Sequence, residues 1–236
     1  YPFFFSTFFP LKSEFAAHID LMKKKNIRTI VLIHDVDPFN TLWTNLYAEE
    51  ARMAGIKVAE NYEIQMGDND FKTILTKAKE HKPEAVVVTI FEIGKVGLVL
   101  KTMHELGMNI PLFGSASAQT RTLLYEYGSY AEGNVFTSAP ALDSTRYIAF
   151  VDSFTRKYGN APVGVTAANA YDATRAVLET LKEGARSGEE IKQKLNELSL
   201  PGTFVDTLDF DEKGQVRDVL FEMKTVKDGT FVEVAS

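Results

Sequence analysis

Two short runs constrain this chain more than anything else in it. Thr29-Ile30-Val31-Leu32-Ile33 and Ala85-Val86-Val87-Val88-Thr89-Ile90 are continuously apolar and rich in β-branched residues. Neither alternates apolar with polar, so neither reads as a strand with a wet face. Runs of this kind suit central strands of a parallel sheet covered by helices on both sides. The segments around them supply those helices. Lys12 to Lys25 places Phe15, Ile19 and Met22 at helical spacing. Phe39 to Ala54 is helical and closes at Gly55, and Asp70 to Glu80 is preceded by the capping candidates Asp68, Asn69 and Asp70. Lys95 to Leu106 ends at Gly107, and Gln119 to Tyr127 is a further short helix. Ile56 to Ile64, Pro111 to Gly114 and Asn134 to Thr137 complete the strands. The prediction is an α/β fold with a doubly wound parallel sheet over residues 11–138.

The rhythm changes after Pro140. Tyr147 to Tyr158, Val165 to Lys182 and Glu189 to Leu198 are helical patterns with little strand between them. Thr203 to Phe210, Val216 to Val226 and Thr230 to Val234 then read as strands, with Asp211-Glu212-Lys213-Gly214 and Lys227-Asp228-Gly229 as turns. The opening stretch, Tyr1 to Pro10, carries Phe3, Phe4, Phe5, Phe8 and Phe9. It is too apolar for a solvated tail and reads as a strand that must be packed.

Composition narrows the function. The 236 residues carry 26 Lys and Arg against 32 Asp and Glu, a net charge of −6, so a nucleic-acid partner is not expected. There is no cysteine, which removes disulfides, thiolate metal sites and a cysteine nucleophile. No apolar run approaches the length of a membrane span. No Walker or dinucleotide glycine loop follows either buried strand, since Gly94-Lys95-Val96-Gly97 lacks the third glycine, and no G-x-S-x-G elbow occurs. His18, His34, His81 and His104 show no metal-ligand spacing. His81 and His104 read as solvated and His18 as lying on a helix face. An enzyme thus has no motif to stand on here, and no catalytic residue, metal or cofactor is expected.

Parallel sheets bind ligands beyond the carboxyl ends of their strands. That selects the loops His34 to Asn40, Gln65 to Asp70, Phe91 to Gly94 and Gly114 to Ala118. In the first, Asp35 and Asp37 admit two readings. They could form an acidic pocket for a divalent cation, as in a response-regulator-like switch. The simpler reading is that they order the loop and cap the following helix.

An ordered series of short segments carries a resemblance. Thr29 to Asp35 is followed by Ala54-Gly55-Ile56-Lys57-Val58, Gly67-Asp68-Asn69-Asp70-Phe71 and Lys82 to Val88. Then come Glu105-Leu106-Gly107, Pro111-Leu112-Phe113-Gly114, Ala131-Glu132-Gly133, Ala170-Tyr171-Asp172-Ala173 and Asp209 to Gly214. In this order and spacing the chain resembles the type I periplasmic solute-binding proteins, in the leucine/isoleucine/valine-binding branch. The resemblance implies a binding protein and not an enzyme, with a Venus-flytrap arrangement of two flavodoxin-like or Rossmann-like lobes and a small solute held between them. It implies a periplasmic or other extracytoplasmic location, an amino acid or small organic acid as solute, and an ABC permease as partner. A ligand-sensing domain of a receptor or regulator is the alternative with the same fold. Residues 11–138 plus 203–236 would form the second lobe, and residues 1–8 plus 139–202 part of the first. The crossings would fall at Pro10, Ser138 to Ala141, and Pro201-Gly202. Family members begin with further βα units, so the chain is expected to be N-terminally truncated, its Phe-rich start a remnant of the first lobe, and prone to self-association.

The resemblance also supplies ligand-binding candidates: Phe39, Phe91, Glu92, Ser115, Ser117 and Tyr171. Phe39 would pack on the solute's side chain, or else staple its helix onto the sheet. Phe91 ends the second buried run at a ligand-contacting position. Glu92 would accept a solute ammonium, or else complement a helix N-terminus. Ser115 and Ser117 flank Ala116 where amino-acid binders often carry an acid, and they could instead cap the next helix. Tyr171, with Asp172, matches a helix motif whose usual part is packing near the hinge. Trp43 reads as core.

Overall fold

A computed structural model describes residues 3–65, 67–92, 94–138, 144–161, 164–217 and 219–234. The chain divides into two compact units, Tyr1–Ser13 with Ala139–Leu220, and Glu14–Ser138 with Phe221–Ser236.

The larger unit is the predicted doubly wound sheet. In chain order its elements are α1 (Leu11–Lys24), which begins in the other unit, β1 (Thr29–Asp35), α2 (Pro38–Met53), β2 (Lys57–Ile64), α3 (Phe71–Glu80), β3 (Ala85–Thr89), α4 (Lys95–Glu105), β4 (Leu112–Gly114), α5 (Arg121–Ala131) and β5 (Val135–Ser138). A short 3-10 turn at Ala116–Ala118 follows β4. After α6 (Thr145–Tyr158), α7 (Gly164–Lys182), α8 (Gly188–Asn196) and the short pair β6 (Leu200–Pro201) and β7 (Thr207–Leu208), the chain returns with β8 (Glu222–Lys227) and β9 (Thr230–Glu233). The strand order is β2-β1-β3-β4-β5-β8-β9. The first five strands are parallel, and β8 and β9 add on antiparallel.

Successive residues of β1 and β3 face opposite sides of the sheet. Val31, Ile33, Val86 and Val88 join Phe71, Leu75, Val99, Leu100, Met103 and Leu123 of α3, α4 and α5 in one buried cluster. On the other side α1 and α2 bring a buried aromatic group. Phe15 meets the Trp43 ring edge-on at 4.9 Å, and His18 meets Phe113 of β4 at 5.4 Å. His18 thus lies on the core face of its helix. Burial pushes its imidazole down to about 3, so the ring is neutral at any ordinary pH. Trp43 is core, as expected.

One buried carboxylate ties this side together. Glu14 accepts from Trp43 Nε1 at 2.9 Å, from the Ala116 amide at 3.0 Å and from the Thr137 hydroxyl. It therefore links α1, α2, the turn after β4 and β5. Burial raises its carboxyl above the ordinary glutamate value, and its hydrogen bonds only partly offset this.

The smaller unit is helical. Asp172 of α7 is its polar centre, accepting from the Thr203 amide at 2.6 Å, the Thr203 hydroxyl at 2.7 Å and Arg175 at 2.9 Å. Of the strand expected over residues 1–10, the described residues 3–10 form a single parallel bridge, Ser6 with Gln215. Backbone bonds between Ser6 and Gly214 and between Val216 and Ser6 hold it, and Phe5 packs edge-on against Phe210. The same contacts carry residues 203–220 into this unit, whereas the resemblance had grouped 203–236 with the sheet. The long strands expected at 203–210 and 216–226 shrink accordingly to β7, β8 and a bridge between Phe210 and Val216. Of the crossing expected at Ser138 to Ala141, residues 139–141 lie outside the described residues.

Three outcomes follow from this packing. A Cβ at Gly114 would lie 2.6 Å from the buried Phe136 ring. Gly114→Ala should cost about 1–3 kcal/mol, read as a lowered denaturant midpoint at constant slope. For Glu14 the raised value means its contribution is complete below the unfolded value and is lost as pH rises through the folded one. Glu14→Gln should flatten that decline with rising pH in a pH series of unfolding midpoints. Finally, no residue of α6 is buried, and Tyr171, Val177, Leu178 and Leu181 of α7 are exposed. The 236-residue chain alone should therefore self-associate. A clean monomer across a tenfold concentration range in sedimentation velocity would contradict this.

Candidate functional site

The strand order places β2 to one side of β1 and β3–β4–β5 to the other. The strands run parallel, but the winding of the sheet reverses between β1 and β3, which makes their carboxyl ends its switch point, the place where such sheets bind ligands. Two of the expected residues meet there. Phe39 follows β1 and Phe91 follows β3, and their rings stack at 5.5 Å with planes 17° apart. Both remain open to solvent, Phe39 at 37% and Phe91 at 49%. A stapled Phe39 would be buried on the sheet, and it is not. Leu42, one helical turn beyond Phe39, is also exposed.

The loop carrying Phe39 is built by its aspartates. Asp37 caps α2, accepting from the Phe39 amide at 2.8 Å and the Asn40 amide at 3.3 Å, and Pro38 starts the helix. Asp35 is buried and accepts from the Asp37 amide at 3.3 Å, Asn40 Nδ2 at 2.7 Å and the Phe91 amide at 3.0 Å. Asn40 in turn accepts from the Thr89 hydroxyl at 2.8 Å. Both oxygens of Asp35 face N–H groups. A cation needs the opposite polarity around it, so the loop-ordering reading holds.

Glu92 lies beside Phe91 with its charge already engaged. Its carboxylate is 2.6 Å from the buried Lys95 ammonium and accepts from the Gly67 amide at 3.3 Å. The Lys95 bond first, and the Gly67 amide second, hold its carboxyl below the usual glutamate value. Both contacts fall on Oε2 of Glu92, and its side chain is 41% exposed. Ser115 and Ser117 hydrogen-bond each other at 2.7 Å. Neither caps α5, which Thr120 does by accepting from the Leu123 amide at 3.1 Å. Phe91, Glu92 and Ser117 line a common hollow of about 20 Å³, room for one water molecule. Tyr171 belongs to the other unit. It is 48% exposed, packs on Phe150 at 5.2 Å and lies under the Arg175 guanidinium at 5.6 Å, in a cavity of about 680 Å³ that Arg146 and Phe154 also line.

Sequence reasoning missed Asn40, Thr89 and Lys95. Asn40 stands five residues after a strand-end aspartate, which is a weak signal for a side-chain bridge. Lys95 stands in the Gly94 to Gly97 helix start, which reads only as an incomplete glycine loop. Among the described residues, no group of His, Asp and Glu could hold a metal ion, and no helix is long and apolar enough to cross a membrane.

Known proteins resemble this chain along most of its length. The leucine-, isoleucine-, valine-, threonine- and alanine-binding protein of Pseudomonas aeruginosa is 26% identical over 88% of this chain and 56% of its own length. Among solved structures, the leucine-binding protein LivK of Thermotoga maritima superposes with a TM-score of 0.77 at 21% identity, covering 95% of this chain and 65% of that one. An ABC-transporter solute-binding protein of Rhodopseudomonas palustris in complex with benzoate gives 0.76 at 19% identity, covering 98% and 64%. The chain thus spans little more than half the length of the curated relative. The sequence profile described as periplasmic binding protein matches residues 1–230, and the chain belongs to that family.

Proposed function

We propose that this chain is part of the extracytoplasmic solute-binding component of an ABC importer, not an enzyme, and that its solute is an amino acid or small organic acid with a flat or branched apolar part. The observation that carries this reading is the exposed Phe39–Phe91 stack at the switch point of the sheet. Two neighbouring aromatic rings left open at a strand-end crevice offer an apolar wall to a ligand. The engagement of Glu92 by Lys95 supports apolar recognition over ammonium capture at this wall. The relatives named for leucine and for benzoate bind solutes of this description. The permease partner and the extracytoplasmic location follow the family.

Calorimetric titration of the full gene product carrying this sequence, against L-leucine, L-phenylalanine and benzoate, tests the reading. At least one should bind. Phe91→Ala should weaken that solute by about 10- to 100-fold, the range for removing one buried ring contact. No heat with any of the three, or undiminished affinity after Phe91→Ala, would remove this wall from the site.

A further inference from the structure

We infer that Asp35 is a positioning residue that sets the Phe39–Phe91 pair in place before any solute arrives. The inference rests on the reading of that pair as the solute-facing wall. The parallel ladder between β1 and β3 runs from Ile30 with Ala85 to His34 with Thr89 and stops there. The rings stand beyond it, on loops that leave the sheet separately. The Asp35 side chain continues the tie where the ladder ends. One oxygen takes the Phe91 amide, and the other takes the Asp37 amide and Asn40 Nδ2. Asn40 closes the circuit by accepting from Thr89 at the end of β3. A single carboxylate thus grips the backbone of one ring's residue and both flanks of the other's.

Helix capping does not account for this arrangement, because Asp37 already caps α2. The carboxylate is 1% exposed, and among the described residues its partners are N–H groups with no cation. A buried charge held this way is costly unless every donor stays in place, which makes the arrangement stiff. Two half-exposed rings then keep a near-parallel stack that solvent alone would not enforce. A wall formed in advance spares the solute the ordering of two loops on binding.

Asp35→Asn keeps the shape but turns one acceptor into a donor facing N–H groups. Thr89→Val, a milder variant that releases Asn40, serves if Asp35→Asn does not fold. Without solute, the Phe91 amide should exchange at least about tenfold faster in either variant, by hydrogen exchange followed by NMR, while Val87 in the same strand keeps its protection. With L-leucine, L-phenylalanine and benzoate as probes, Asp35→Asn should cost about tenfold in affinity. That loss should shrink to within about twofold when Phe91 is already Ala, because the two changes act through one contact. Equal losses in both backgrounds, or unchanged Phe91 exchange, would overturn the positioning role. If Phe91→Ala leaves every probe's affinity intact, the solute reading of the wall fails instead, and Phe91 exchange alone decides whether Asp35 sets the pair.

Discussion

Burial of β1 and β3 on both faces is the constraint from which the larger unit follows. Ile30 and Leu32 point one way, Val31 and Ile33 the other, and neither side tolerates water. Each backbone group must then find its partner in a neighbouring strand, and each face must be roofed by helices. The chain meets both demands by winding α3, α4 and α5 over one face and α1 and α2 over the other. Winding in two directions from a central strand requires a reversal. The reversal of winding between β1 and β3 is where the two exposed rings stand.

Buried acids do the joining that apolar contact cannot. Glu14 draws α1, α2, β5 and the turn after β4 to one carboxyl. Asp35 draws two strand-end loops to another, and Asp172 holds Thr203 and Arg175 in the smaller unit. Hydrophobic burial is non-directional and sets no register between loops. A buried acid with several fixed partners does, because misplacing any one of them leaves a buried polar group short of a hydrogen bond.

The two units differ in how far their own residues cover them. In the larger unit β1, β3, β4 and β5 are covered on both faces. The smaller unit leaves apolar residues of α6 and α7 exposed, and among its described residues strand pairing is confined to β6–β7 and two isolated bridges. The Phe-rich opening shows the difference in miniature. Phe5 and Phe9 find ring partners in Phe210 and Phe204, while Phe3 and Phe4 remain open.

Much of this was legible in sequence because periodicity and capping are local. The runs at Ile30–Ile33 and Ala85–Ile90 announced central strands, and Asp37 and Asp70 announced the caps they make. The strands expected at 203–210 and 216–226 were over-long, because Phe210, Gln215 and Val216 pair with Phe5 and Ser6 and with each other instead of extending a sheet. Local pattern could place Phe39 and Phe91 at strand ends, but their stacking needs strands more than fifty residues apart to lie side by side. The engagement of Glu92 by Lys95, and of Asp35 by Phe91, likewise exists only once the loops are assembled. The sequence alone determined the α/β class, the winding and the loops worth watching, since these depend on short-range spacing and burial. Only the tertiary structure decided which charges are spent internally and which rings stay free, since that depends on distances between segments the chain itself keeps far apart.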